Sequence, residues 1–217
     1  MTATAKSKRR AERGDEAAVR GRILEAAFAS FRRKGYAATS TLEIATRAHV
    51  SKRDVYALVG AKPEMLIACV SERARRFQAP ADLPAPRDRD ELARALTSLA
   101  TQLLREISNP TVVAMFRLAI AEASHAPEVA RVVDSVGRET SRAALRKIIA
   151  AAQASGLLVE SPVDLADQFA GLLWGTLMIS LLLGVAEPPG PDEIAARVRA
   201  ATTAFLQLHA PPDGAMR

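Results

Sequence analysis

The sequence predicts an all-α protein: an N-terminal three-helix domain containing a helix-turn-helix, followed by a larger C-terminal helical domain, about nine helices in all. Three observations carry this expectation. Aromatic residues make up only 4% of the 217 residues while Ala and Leu dominate, a composition that favours helix. Apolar residues recur at helical spacing, with no alternating strand pattern. Pro, Gly and Asn punctuate the chain at intervals suited to helix ends.

Residues 1–14 hold Lys6, Lys8, Arg9, Arg10 and Arg13 with little apolar content. No apolar run comes after them, so they do not read as a secretory signal. A disordered basic tail is expected here; the alternative is an arm that touches phosphate or the minor groove. The first helix is predicted over residues 15–34, with Val19, Ile23, Ala26, Ala27 and Phe31 inward and Gly35 ending it.

Ser40 is followed three residues later by Glu43, and Ser51 by Asp54. Both pairs fit the capping box, in which a hydroxyl and an acid satisfy helix-end donors reciprocally. They open two short helices, over residues 41–48 and 52–59, separated by a three-residue break. Leu42, Ile44 and Ala45 are expected inward, with Val50 plugging the turn. In the second helix Val55, Leu58 and Val59 share one face while Lys52, Arg53 and Tyr56 share the other. A recognition helix works through its N-terminal residues; Arg and Lys bridge guanine edges and hydroxyls reach phosphate or base. Ser40, Thr41, Ser51, Lys52, Arg53 and Tyr56 are therefore candidate DNA contacts, with Lys62 expected on phosphate. The competing reading is a solvated cationic face beside a short helical hairpin.

A fourth helix is expected to start at Pro63 and reach Gln78, so that residues 63–80 connect the domain of residues 15–62 to the C-terminal domain. The Pro-rich stretch 79–86 is the clearest break in the chain and opens that second domain, over residues 81–210. Its helices are predicted over 89–107, from Asn109-Pro110 to 124, 127–155, from Ser161-Pro162 to 183, and from Gly190-Pro191 to 208.

Charge divides along the same line. Residues 1–62 carry 14 Lys/Arg against 6 Asp/Glu, and the remainder 16 against 18. The basic footprint thus falls on the helix-turn-helix, as a phosphate-binding surface requires.

The chain also carries family landmarks: Phe31-x-x-x-Gly35-Tyr36, Thr39-Ser40, Ile44-Ala45, Val50-Ser51-Lys52, Tyr56 and Lys62-x-Glu64. In this order residues 20–70 resemble the N-terminal domain of TetR-type (tetracycline-repressor-like) transcriptional regulators. More loosely, the C-terminal half resembles their AefR-like branch. Two departures stand out: His49 replaces the usual Gly before the Val-Ser of the turn, and Leu58-Val59 replace an aromatic pair.

The resemblance implies a ligand-responsive regulator, by family default a repressor, that binds a palindromic operator as a homodimer and releases it on binding an apolar or amphipathic inducer. It implies dimerisation through the last two helices. There Phe169, Leu172, Thr176, Ile179 and Leu183 form one apolar stripe and Val198 and Phe205 part of another. It also implies an inducer site among the middle helices. Candidates are Phe77, Met115, Phe116, Ala119, Leu145, Ile149, Trp174 and Met178, with Glu122 as a polar contact. Each of these apolar residues reads more readily as plain core than as pocket wall.

Residues 169–186 carry no charge, at the short limit for a membrane span. Acidic flanks, Asp164, Asp167 and Glu187, favour a buried helix over a span. The single cysteine, Cys69, lies in an apolar run; it excludes an intramolecular disulfide framework and suits a reducing cytoplasm. Glu122-x-x-His125 is one half of a di-iron unit without its other half, so no metal or cofactor is expected. No nucleophile elbow, phosphate loop, dinucleotide fingerprint or zinc motif is present, so an enzyme is not expected. A non-enzymatic helical adaptor is the remaining alternative.

Overall fold

The structure, a computed structural model, describes residues 2–75 and 85–209, with side chains from residue 14. Its elements are α1 (Thr2–Lys34), α2 (Thr41–Ala48), α3 (Lys52–Leu58), α4 (Lys62–Ala74), α5 (Arg89–Ile107) and α6 (Pro110–Glu122). They continue with α7 (Pro127–Val132), a π-helical segment (Val133–Arg138), α8 (Glu139–Ala154), α9 (Pro162–Trp174), α10 (Leu177–Leu183) and α11 (Pro191–Leu208). Among the described residues there is no strand. The chain forms two compact units, residues 1–72 with 115–136 and residues 73–114 with 137–217.

In the first unit α1 packs on α2 and α3, and α2 on α3. Ile23, Ala26, Ala27 and Phe31 of α1 are buried as their spacing predicts, and they meet Tyr36, Ile44, Ala45, Val55 and Met65 in one core. Met115, Leu118 and Ala119 of α6 and Val129 of α7 join that core, which is why residues 115–136 group with the N-terminal helices. Cys69 is buried, donates to the Leu24 carbonyl at 3.5 Å, and has its pKa pushed up by burial to about 12. A thiol in this setting is packing material rather than a redox sensor.

The backbone of residues 2–14 continues α1, where Ala, Lys, Arg and Glu suit helix. One expectation changes here. Leu42 faces out, 63% exposed. The eight-residue α2 buries only the stripe Ile44, Ala45 and Ala48, and Leu42 lies more than a quarter turn from the centre of that stripe.

In the second unit α11 packs on α5 and α9, and α8 on α9 and α5. Leu92, Leu96, Leu103, Leu145, Ile148 and Ile149 are essentially inaccessible. Phe169 and Phe205 meet edge-to-face at 5.3 Å, and the Phe205 ring in turn lies 4.8 Å from that of His209. Arg89 donates to the Leu206 and His209 carbonyls, satisfying the end of α11. Asp88 caps α5 by accepting from the Glu91 amide at 2.7 Å.

The long helix predicted over 127–155 is interrupted by the π segment around Gly137. That segment shifts the phase of the following turns, so the buried set of α8 becomes Ala144, Leu145, Ile148, Ile149 and Ala152. The single helix predicted from Pro162 to residue 183 is broken. Gly175 takes φ 45, ψ −128, outside the range of a side-chain-bearing residue, and α9 and α10 meet at 56°. Arg197 donates to the Trp174 carbonyl freed at this break, at 3.5 Å. Among the described residues no single helix is long and apolar enough to cross a membrane; only the bent pair α9 and α10 has the necessary length and composition together.

The candidate DNA-binding surface

Ser40 and Ser51 both act as caps. Ser40 Oγ accepts from the Glu43 amide at 3.2 Å and Ser51 Oγ from the Asp54 amide at 3.0 Å. Asp54 completes the second box by accepting from the Ser51 amide and hydroxyl, at 3.2 and 2.7 Å. These hydrogen bonds hold the Asp54 carboxyl below its usual range.

Between the caps, His49 sits in the left-handed region (φ 56, ψ 47). Its amide donates to Thr46 O at 3.2 Å and the Val50 amide to Ala45 O at 3.1 Å, the pairing of a Schellman turn. The turn thus keeps its helical-break geometry with His in a position that favours Gly. Imidazole is among the side chains better tolerated there.

On α3 Val55 is fully buried, which leaves Lys52, Arg53 and Tyr56 on the open side. Lys52 Nζ lies 5.8 Å from the Tyr56 ring centroid, and Tyr56 is 48% exposed. Lys52 and Arg53 make no ion pair among the described residues. Thr41, half-buried, opens α2. Glu43 braces α2 against α1 by accepting from Arg33 at 2.6 Å and Lys34 at 2.9 Å. These cations, led by Lys34, hold the Glu43 carboxyl below its usual range. Six of the seven expected DNA contacts therefore gather on α2 and α3, with a free cationic face at the start of α3.

Lys62 is engaged elsewhere. Its ammonium donates to the carbonyls of Tyr36, Ala37 and Thr39 at 3.0, 3.1 and 3.2 Å and lies 4.6 Å from the Tyr36 ring. An ammonium has three protons, and these three carbonyls can take all of them, so Lys62 grips the turn before α2 here. Glu122, expected as a polar ligand contact, also holds that turn, accepting from the Tyr36 amide at 2.8 Å. Neither role is readable from spacing, because the partners lie 26 and 86 residues away. The one available signal is an acid closing the largely apolar α6, whose other charged residue is Arg117.

Of the inducer candidates, Met115 and Ala119 are buried in the core of the first unit with Phe116 packed against it. Leu145 and Ile149 are buried in the second unit, where Trp174 and Met178 are half-buried. Phe77 lies outside the described residues.

The proposed dimer stripe divides at Gly175. Phe169 is fully buried within its own chain, as are Val198 and Phe205, so these three cannot offer area to a partner. Beyond the bend Ile179 and Leu183 are 63% and 72% exposed and Thr176 is exposed with them, while Leu172, before the bend on α9, is 37% exposed.

Residues 23–69 match the family described as bacterial regulatory proteins of the tetR family. Residues 94–211 match the C-terminal domain of AefR-like transcriptional repressors. No curated protein matches the sequence. Among solved structures, the chain is similar to the flavonoid-responsive regulator FrrA, at 27% identity and a TM-score of 0.73 over 90% of this chain and 99% of that one. It is similar to a TetR transcriptional regulator from Agrobacterium tumefaciens, at 26% identity and 0.71 over 88% and 94%. It is also similar to a TetR-family regulator from Pseudomonas syringae pv. tomato, at 27% and 0.69 over 89% and 97%. The two family matches account for both halves of the chain, and they describe DNA-binding transcription factors, not enzymes. The chain belongs to the TetR family of bacterial transcriptional regulators and carries an AefR-like C-terminal domain.

Proposed function

We propose that this regulator is a cytoplasmic repressor that binds a palindromic operator as a homodimer and leaves it when a small apolar or amphipathic inducer binds. The observation that carries the DNA-reading half is the open cationic start of α3, with Lys52, Arg53 and Tyr56 exposed behind a fully formed cap at Ser51. Arg53 is assigned to base edges, and Ser40, Thr41, Ser51, Lys52 and Tyr56 to phosphate or base. The exposed apolar residues Leu172, Ile179 and Leu183 support the dimer, since an apolar surface of this kind marks an interaction site. Two heads in such a dimer must meet successive major grooves about 34–36 Å apart.

The half-buried Trp174 and Met178 suit an adaptable apolar ligand wall. Similarity to a flavonoid-responsive regulator makes planar aromatic compounds the first class to try.

The test is selection of bound duplexes from random DNA. An enriched inverted repeat, with affinity falling steeply as salt rises, is expected. Enrichment of nothing above background would favour the helical-adaptor reading. With the selected duplex fluorescently labelled, titration of flavonoids and other amphipathic compounds should release it. A panel that never does so would remove the inducer from the proposal.

A further inference from the structure

We propose that the turn of residues 35–39 is a positioning clasp for DNA recognition, closed by the Glu122 carboxylate on its amide side and the Lys62 ammonium on its carbonyl side. The inference rests on the reading of α2 and α3 as the DNA-binding elements and assigns no ligand role to Glu122.

The turn joins α1 to α2 and so determines where Ser40 starts α2. Its backbone makes two main-chain hydrogen bonds, Gly35 N–H to Phe31 O at 2.9 Å and Thr39 N–H to Tyr36 O at 3.3 Å, and side chains supply the rest. Glu122 Oε1 accepts from the Tyr36 amide at 2.8 Å, and Lys62 takes the carbonyls of Tyr36, Ala37 and Thr39. Thr39 Oγ1 closes the loop on the Gly35 carbonyl at 2.8 Å. Glu122 is only 9% exposed, and a carboxylate so placed needs its partner. Space is equally restricted: a Cβ on residue 35 would lie 2.4 Å from Glu122 Oε1, and Gly35 has φ 87. The glycine is thus demanded twice, by the backbone and by the carboxylate.

Both grips sit at informative places in the chain. Lys62 is the first residue of α4 and Glu122 the last of α6. These are helices whose ranges run from one compact unit into the other. The two grips thus tie the first residue of α4 and the last of α6 to the same five residues, which lead directly into Ser40 and Thr41, and α2 packs on α3, which carries Arg53 and Tyr56. Stability alone would not require this arrangement, since a helix end is capped as well by a Schellman turn, as at His49.

The experiment uses the full chain, the duplex selected by the wild type, and a scrambled duplex. Glu122→Ala should bind the selected duplex about tenfold more weakly, as loss of a charged hydrogen bond at a coupling point implies, and the scrambled duplex almost unchanged. Glu122→Gln keeps a carbonyl for the Tyr36 amide and should recover most of that loss. Lys62→Met should lower the selected-to-scrambled ratio and leave the salt slope unchanged. A phosphate contact would instead weaken both duplexes equally and reduce the slope by about one. Should Glu122→Ala fail to fold, Glu122→Asp, which retracts the carboxylate by one methylene, carries the same expectation. An unchanged ratio with only a lowered melting temperature overturns the clasp. A wild type that enriches no duplex overturns the DNA-reading assignment itself, and the clasp with it.

Discussion

The chain breaks a helical run twice in comparable ways, at His49–Ser51 and at Gly175–Thr176, and the two junctions are built on opposite principles. The first is written in polar atoms: a Schellman pairing ends α2 and a capping box starts α3. The break is satisfied by local partners, and the surface beside it is cationic. The second has no side-chain cap at the start of α10. A glycine makes the bend, a distant arginine takes up the freed Trp174 carbonyl, and the surface beside it is apolar. A break with its own caps needs little from the rest of the molecule and presents charge outward. A break inside an apolar run depends on packing, and its effect is to divide one stripe into a core half and an exposed half.

The exposed apolar half is the first place to break this contrast. Ile179→Glu combined with Leu183→Glu should convert the proposed dimer to monomer in sedimentation velocity. It should lower operator affinity by about a hundredfold or more, because two linked heads become independent. A double variant that stays dimeric would move the interface elsewhere. Gly175→Ala forces a side chain into a backbone region it rarely adopts, beside Arg197 at 3.4 Å. It should destabilise by about 1–3 kcal/mol in chemical denaturation. On the polar side, Arg53→Ala should cost about 1–3 kcal/mol on the selected duplex and much less on a scrambled one, measured by fluorescence anisotropy. His49→Gly should stabilise by about 1 kcal/mol, since it relieves the left-handed strain at the first junction. No such gain is open at the second junction, which already has its glycine.

The smallest effect is with pH. Glu43 and Asp54 both titrate below their ordinary values of 4.5 and 3.8. Their contribution is therefore complete above those values and fades as the pH falls through the lower folded ones. Circular dichroism should show helix-turn-helix stability flat with respect to these groups from about pH 8 to about pH 6. Replacement of Asp54 by Asn should remove part of the acid-induced loss.

Much of the fold is legible in the sequence because helix ends are local events. Ser40, Ser51, Asn109-Pro110 and Gly190-Pro191 announce their helices through groups within three residues of the end, and α2, α5 and α11 have the bounds their sequences predict. The cationic face of α3 is legible for the same reason: one buried valine at position 55 fixes which way Lys52, Arg53 and Tyr56 point. Leu42 departs from its expected place because a two-turn helix has room for one buried stripe, and periodicity alone admits two. Phe169 and Leu183 share a face only on a straight helix, and the bend at Gly175 between them lies outside what periodicity can show.

By itself, then, the sequence determined the helical class, the capped helix-turn-helix, the basic first domain and the family, all properties of neighbouring residues and of their order. Only the tertiary structure decided that Lys62 and Glu122 close on the turn before α2, that residues 115–136 group with the N-terminal helices, and that the apolar stripe of α9 and α10 divides at Gly175. The hydrogen bonds that mark these choices join groups from 23 to 86 residues apart. At such separations packing and the need to satisfy buried charge, not local propensity, select the partner.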